Sequence, residues 1–121
     1  MFADGSAFPP NNGPIDFAFD RFGNLFVSTE SGLVNDSSNV VLKFTPDGVG
    51  STFAANLGNY PRGLAFNQGR QLFVAEVGEN PSGPSNGDIL KFNPDGTRST
   101  FVVVPGAINS GPEFLAFQLK K

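Results

Sequence analysis

An all-β fold of two successive four-stranded antiparallel meanders is predicted by three observations on this 121-residue chain. The chain repeats itself at a spacing of about one supersecondary unit. Its apolar runs are short and alternate with period two. Its breakers, 15 Gly and 10 Pro, sit between those runs and leave no room for long helices.

The first strand of each copy is Ile15-Asp16-Phe17-Ala18-Phe19 and Arg62-Gly63-Leu64-Ala65-Phe66. Large apolar groups recur at every second residue, with Ala between them, the pattern of a strand crowded on both faces. Tight connections follow at Asp20-Arg21-Phe22-Gly23-Asn24 and Asn67-Gln68-Gly69-Arg70-Gln71, where Gly and Asn tolerate positive φ. Leu25-Phe26-Val27-Ser28 and Leu72-Phe73-Val74-Ala75 make the second strand. A longer polar loop comes next, Glu30 to Asn39 and Val77 to Gly87, the least alike part of the two copies. The third strand is Val40-Val41-Leu42-Lys43-Phe44, matched by Ile89-Leu90-Lys91-Phe92. Pro46-Asp47-Gly48 and Pro94-Asp95-Gly96 then turn the chain, Pro setting φ and Gly supplying the left-handed residue. Ser51-Thr52-Phe53-Ala54 and Ser99-Thr100-Phe101-Val102 are the fourth strand.

Four strands per unit at this period predict β-propeller blades, the first over about 14–55 and the second over about 61–104. Single strands flank them. Residues 2–8 resemble the last strand of a preceding blade, and residues 113–119 the first strand of a following one. The repeated Phe residues (Phe19, Phe66 and Phe117; Phe26 and Phe73; Phe44 and Phe92; Phe8, Phe53 and Phe101) are expected to pack between blades. Phe22 and Tyr60 break the repeat near turns and are better candidates than the repeated Phe residues for an exposed aromatic contact.

The pattern Pro-x-Gly-Leu-Ala-Phe, then Leu-Phe-Val, Lys-Phe-x-Pro-Asp-Gly and Ser-Thr-Phe, resembles NHL-repeat propellers and the gluconolactonase-like (SMP-30-like) superfamily. The resemblance spans nearly the whole chain and implies the propeller fold. In the gluconolactonase-like enzymes a divalent metal is held by a Glu before a Gly-Pro and by Asn and Asp after later prolines. The matching positions here are Asn12, Ser110, Ile15, Arg62 and Glu113, none of which is the expected ligand. The resemblance therefore implies the fold without the metal chemistry.

Composition narrows function by exclusion. The chain has no His and no Cys, which removes the usual general base, the thiolate nucleophile and the imidazole and thiolate metal ligands. A net charge of −3 provides no footprint for nucleic acid or anionic membrane, and no partner of either kind is expected. No run of about 18 apolar residues predicts a membrane-spanning helix. No basic segment followed by an apolar stretch marks a signal peptide at the N-terminus, and the compartment is left open. Asp16, Arg62 and Glu113 fall at the start of the first strand in their copies and form a candidate ligand site at a channel mouth, against the plainer reading of an internal Arg–carboxylate pair. Glu76 and Thr29 hold equivalent places after the second strand and read as structural. Glu76, Glu79 and Asp88 bracket one loop too sparsely for a Ca²⁺ loop, so no cofactor is expected, with Ca²⁺ there as the minor alternative. Asn35-Asp36-Ser37 is a formal glycosylation match.

Two blades cannot close a ring and would leave two Phe-rich faces wet. The expectation is a homo-oligomer with head-to-tail joints, a trimer before a dimer or tetramer, whose role is non-catalytic binding or scaffolding. An oligomeric carbohydrate-binding lectin and a metal-dependent lactonase or esterase are the alternatives.

Overall fold

In the computed structural model, which describes residues 13–30, 39–57, 60–77 and 87–104, four tight turns shape the chain. Each carries the same two backbone bonds. In the first, Asp20 N donates to Asn24 O at 3.0 Å and Gly23 N donates to Asp20 O at 3.2 Å; the pattern recurs at Thr45–Val49, Asn67–Gln71 and Asn93–Thr97. This is a type I turn followed by one left-handed residue, a loop whose twist suits the flanking strands. Gly23, Gly48 and Gly96 fill the left-handed position at φ of 83°, 89° and 89°, and Arg70 fills it at 65°.

The turns link eight strands: β1 (Gly13–Phe19), β2 (Leu25–Glu30), β3 (Val41–Phe44), β4 (Gly50–Ala54), β5 (Tyr60–Phe66), β6 (Leu72–Val77), β7 (Gly87–Phe92) and β8 (Arg98–Val104). They form two four-stranded sheets in sequential order, β1 to β4 and β5 to β8, with every neighbouring pair antiparallel. The fold is all-β, two repeated meanders of the kind that make propeller blades. The flanking segments 2–8 and 113–119, the glycosylation motif at Asn35 and the Phe8 and Phe117 rings lie outside the described residues.

The repeat extends to irregularities. The β1–β2 register skips Ile15, and the β5–β6 register skips the equivalent Arg62. The β3–β4 register skips Phe53, and the β7–β8 register skips the equivalent Phe101. A bulge frees one side chain from the alternation and re-aims it. Two such bulges per sheet, at matched places, put Ile15 or Arg62 at one end of a sheet face and Phe53 or Phe101 on the outermost strand.

The core lies between the sheets. Phe26, Val41 and Ala54 from the first sheet, with Leu57 from the segment that follows it, meet Leu64, Leu72, Val74, Leu90 and Phe92 from the second. Phe26 is central: its ring lies 5.0 Å from both Phe53 and Phe66, at 87° and 71°. Edge-to-face pairs of this geometry contribute about 0.5–1.5 kcal/mol each beyond the area they bury. A smaller cluster of Val27, Val40, Leu42 and Phe44 covers the far face of the first sheet.

The first strands differ in a way the sequence pattern does not show. β5 is largely buried, whereas β1 alternates between half-buried and exposed residues. Leu64 is 4% exposed, and Phe17, its equivalent, is 63% exposed. The physical reason is position: β5 has the first sheet beside it, and no described sheet lies on the other side of β1. Phe19 and Phe101 are likewise more than half exposed, on the two faces that a pair of blades leaves without a neighbour. Phe22 is exposed as expected, but Tyr60 is buried, 4% exposed, as the first residue of β5 opposite Val77.

Replacing Phe26 by Ala removes the ring that both sheets pack against. The expected loss is about 3–5 kcal/mol, read as a large fall in the urea unfolding midpoint. A loss under about 1 kcal/mol would show that the sheets do not depend on this contact.

Candidate functional site

The polar groups that bridge the two sheets gather at one end of the seam, where the β1 and β5 bulges lie. Ser28 is fully buried on β2. Its hydroxyl accepts from Asp16 N at 3.2 Å and donates to Arg62 O at 2.8 Å. Asp16 reaches across the seam, and its carboxylate accepts from Leu64 N at 3.0 Å. Two side chains of the first sheet thus take up main-chain groups of β5 on the unpaired side of that strand. Hydrogen bonds to a charged acceptor contribute about 1.5–3 kcal/mol each.

Arg62 is the bulged residue of β5. Its guanidinium makes a two-pronged pair with Glu30, Nε to Oε2 at 2.9 Å and the terminal nitrogen to Oε1 at 3.0 Å. It also lies 6.0 Å from the Tyr60 ring centre. The pair is partly solvated, with side chains 30% and 16% exposed, so it contributes about 1 kcal/mol or less. Of the three residues expected at a channel mouth, Asp16 and Arg62 come together at this end, and Glu113 lies outside the described residues. The carboxylate that meets Arg62 belongs to Glu30, which sequence reading placed in a loop and the structure places at the end of β2, opposite Gly13. One signal pointed to it. Glu30 stands where the second copy has Val77, and Arg62 stands where the first copy has Ile15. The charge appears on both partners of one seam and on neither equivalent.

The second sheet lacks this clamp. Gly63 and Ala75 replace Asp16 and Ser28. It carries instead an acid pair, the buried Glu76 on β6 opposite the half-buried Asp88 on β7. Strand alternation puts Glu76 on the same face as Val74, toward the seam. Glu76 is 2% exposed, and its Oε2 and the Oδ1 of Asp88 find no hydrogen-bond partner. Burial, a hydrogen bond with Asp88 and the Asp88 charge together push the Glu76 carboxyl up to about 10, with Arg98 opposing. At neutral pH it therefore holds its proton, as an acid buried beside another acid must. Two carboxylates do not complete a cation cage. Among the described residues, no three His, Cys, Asp or Glu side chains gather to hold a metal.

Two outcomes follow. Asp16→Ala loses the acceptor for Leu64 N and is expected to cost about 1.5–3 kcal/mol, measured by urea unfolding; no change would remove the clamp from the seam. Glu76 binds a proton more tightly folded than unfolded, from the ordinary 4.5 up to about 10. Its contribution is thus complete below the lower value and is lost as pH rises through that window. The unfolding midpoint should fall between pH 5 and pH 9, and Glu76→Gln should flatten that fall; an equally steep fall in the variant would assign it elsewhere. No protein-family model, curated protein or solved structure matches this chain, so the seam rests on its own residues and on the internal repeat.

Proposed function

We propose that this chain is a non-catalytic β-propeller-type repeat protein that self-assembles head to tail into a closed ring, with a binding or scaffold role. One observation carries the reading: the seam inside the chain joins two unlike faces, and the face that the seam leaves over on each sheet has apolar side chains exposed along its outer strand, β1 or β8.

Within the chain, the face of the first sheet bearing Phe26 and Phe53 meets the face of the second bearing Leu64, Phe66 and Phe92. The leftover face of the first sheet is of the second kind, edged by Ile15, Phe17 and Phe19, which are 43%, 63% and 53% exposed. The leftover face of the second sheet is of the first kind. Phe101 takes the place of Phe53 and pairs with Phe73 at 5.0 Å and 89°, as Phe53 pairs with Phe26. Phe101, Val102 and Val103 are 61%, 42% and 50% exposed. Exposed apolar patches of this kind favour an interface. A joint between unlike faces is heterologous and needs a closing rotation to give a ring. Where the seam pairs Arg62 with Glu30, such a joint brings together the Ile15 and Val77 positions, apolar with apolar. Three copies supply six sheets, the usual count in the gluconolactonase-like propellers that the sequence resembles.

Sedimentation of the 12.8 kDa chain is expected to show a discrete particle of three chains. Phe17→Glu with Phe19→Glu should yield monomer, since each buried Phe side chain contributes about 1.5–3 kcal/mol. A dimer or tetramer would keep the joint and change the ring size. A folded wild-type monomer at micromolar concentration would overturn the assembly.

A further inference from the structure

At the end of the seam away from Arg62, the turns of the two sheets leave a cavity of about 110 Å³. Its walls include the rings of Phe26, Phe53, Phe66 and Phe92, drawn from both sheets. An apolar cavity of about 150 Å³ takes up benzene; this one is somewhat smaller but open at its mouth. The mouth is different in character. Lys43 and Arg70 stand on it with Asp20 and Phe22.

The two cations have aromatic neighbours and no acid pinned to them. Lys43 Nζ lies 5.6 Å from the Phe26 ring centre, and Arg70 Cζ lies 5.8 Å from that of Phe22. Among the described residues, neither side chain makes a hydrogen bond or an ion pair at contact distance. Asp20 is close enough for its charge to be felt by Lys43. Yet its oxygens are already engaged: Oδ1 accepts from Phe22 N and Asn24 N, both at 2.9 Å, and Oδ2 accepts from Asn24 Nδ2 at 2.8 Å. Two cations against one occupied carboxylate leave the mouth net positive and rich in free donors.

Arg70 is also out of place by the logic of the turns. It holds the left-handed position, φ 65°, that Gly23, Gly48 and Gly96 hold in the other three. A side chain there is strained, and strain kept at a cavity mouth suggests a task for the side chain. Phe22, which it faces, is another departure: the second copy has Gly69 at that position. Phe22 and Arg70, each standing where the other copy's turn has Gly, therefore meet across the mouth of one cavity.

We infer that this cavity is a binding site for a small aromatic carboxylate, with the ring held among Phe26, Phe53, Phe66 and Phe92 and the carboxylate at the mouth met by Arg70 and Lys43. The apolar walls select a ring over a bare anion. The free cations select an acid over a neutral or cationic ring, because two positive charges at the mouth outweigh the one carboxylate of Asp20. The site lies within one chain and does not depend on assembly.

The test is a titration of the full chain with benzoate at fixed ionic strength, followed by NMR chemical shifts. Benzoate should saturate at roughly millimolar concentration, as a ligand of so few atoms does. Benzyl alcohol, benzamidine and inorganic phosphate should each bind at least about tenfold more weakly, the scale of one lost charged contact. Arg70→Gly separates binding from folding. It should raise the unfolding midpoint by relieving the left-handed residue and weaken benzoate about tenfold. Lys43→Met, which keeps the apolar stem, should weaken benzoate similarly. Saturation that is absent, equal for phosphate or benzyl alcohol, or unchanged in Arg70→Gly would overturn the site.

Discussion

The packing of Phe26 between Phe53 and Phe66 is the constraint on which the rest depends. A four-stranded sheet has two faces, and the first sheet can bury its Phe26 face only by bringing the second sheet against it. That contact sets the spacing of the seam and makes the Phe26 ring a wall of the turn-end cavity. It also brings Asp16 within reach of Leu64 N at the bulge end. Polar and apolar parts of the seam are thus consequences of one ring stacked edge-on between two others.

The repeat is exact enough to reproduce turns and bulges, and its departures are grouped. Arg62 and Glu30 replace the Ile15 and Val77 pair, and Asp16 and Ser28 replace Gly63 and Ala75. All four changes fall at one end of the internal seam and tie it with directional bonds. The leftover faces keep the apolar alternatives. An internal joint forms at the effective concentration of one chain and can afford buried polar groups with fixed geometry. Apolar burial between copies tolerates small differences in approach, because it has no preferred direction.

The buried Glu76 shows the opposite choice. A carboxyl beside Asp88 and away from water is stable only protonated, which ties the second sheet's stability to pH. In the first sheet the equivalent residue is Thr29, buried too, whose hydroxyl bonds to Val40 O at 3.3 Å. The same backbone position is satisfied by a neutral donor in one copy and by an acid that must stay neutral in the other.

Strand identity, strand order and turn position were legible in the sequence, because period-two alternation and the Asp-Gly and Asn-rich turns are local properties read within a few residues; the left-handed residue of the Asn67–Gln71 turn was not, since it falls on Arg70 and not on Gly69. The repeat also revealed which positions are equivalent. It could not reveal that Phe17 and Leu64, with the same place in the pattern, differ fifteenfold in exposure, 63% against 4%. That depends on which sheet has a neighbour. Nor could it pair Arg62 with Glu30 over Asp16, because a bulge redirects the side chain by one register step. The cavity is further from view still: its walls come from strands up to 66 residues apart, Phe26 to Phe92, and its mouth from two separate turns and from Lys43 on β3. The sequence by itself determined the strands, the turns and the twofold repeat, through backbone preferences that act locally. Only the tertiary structure decided which equivalent faces are covered, which charges meet and where space is left, because those follow from one sheet packing on another.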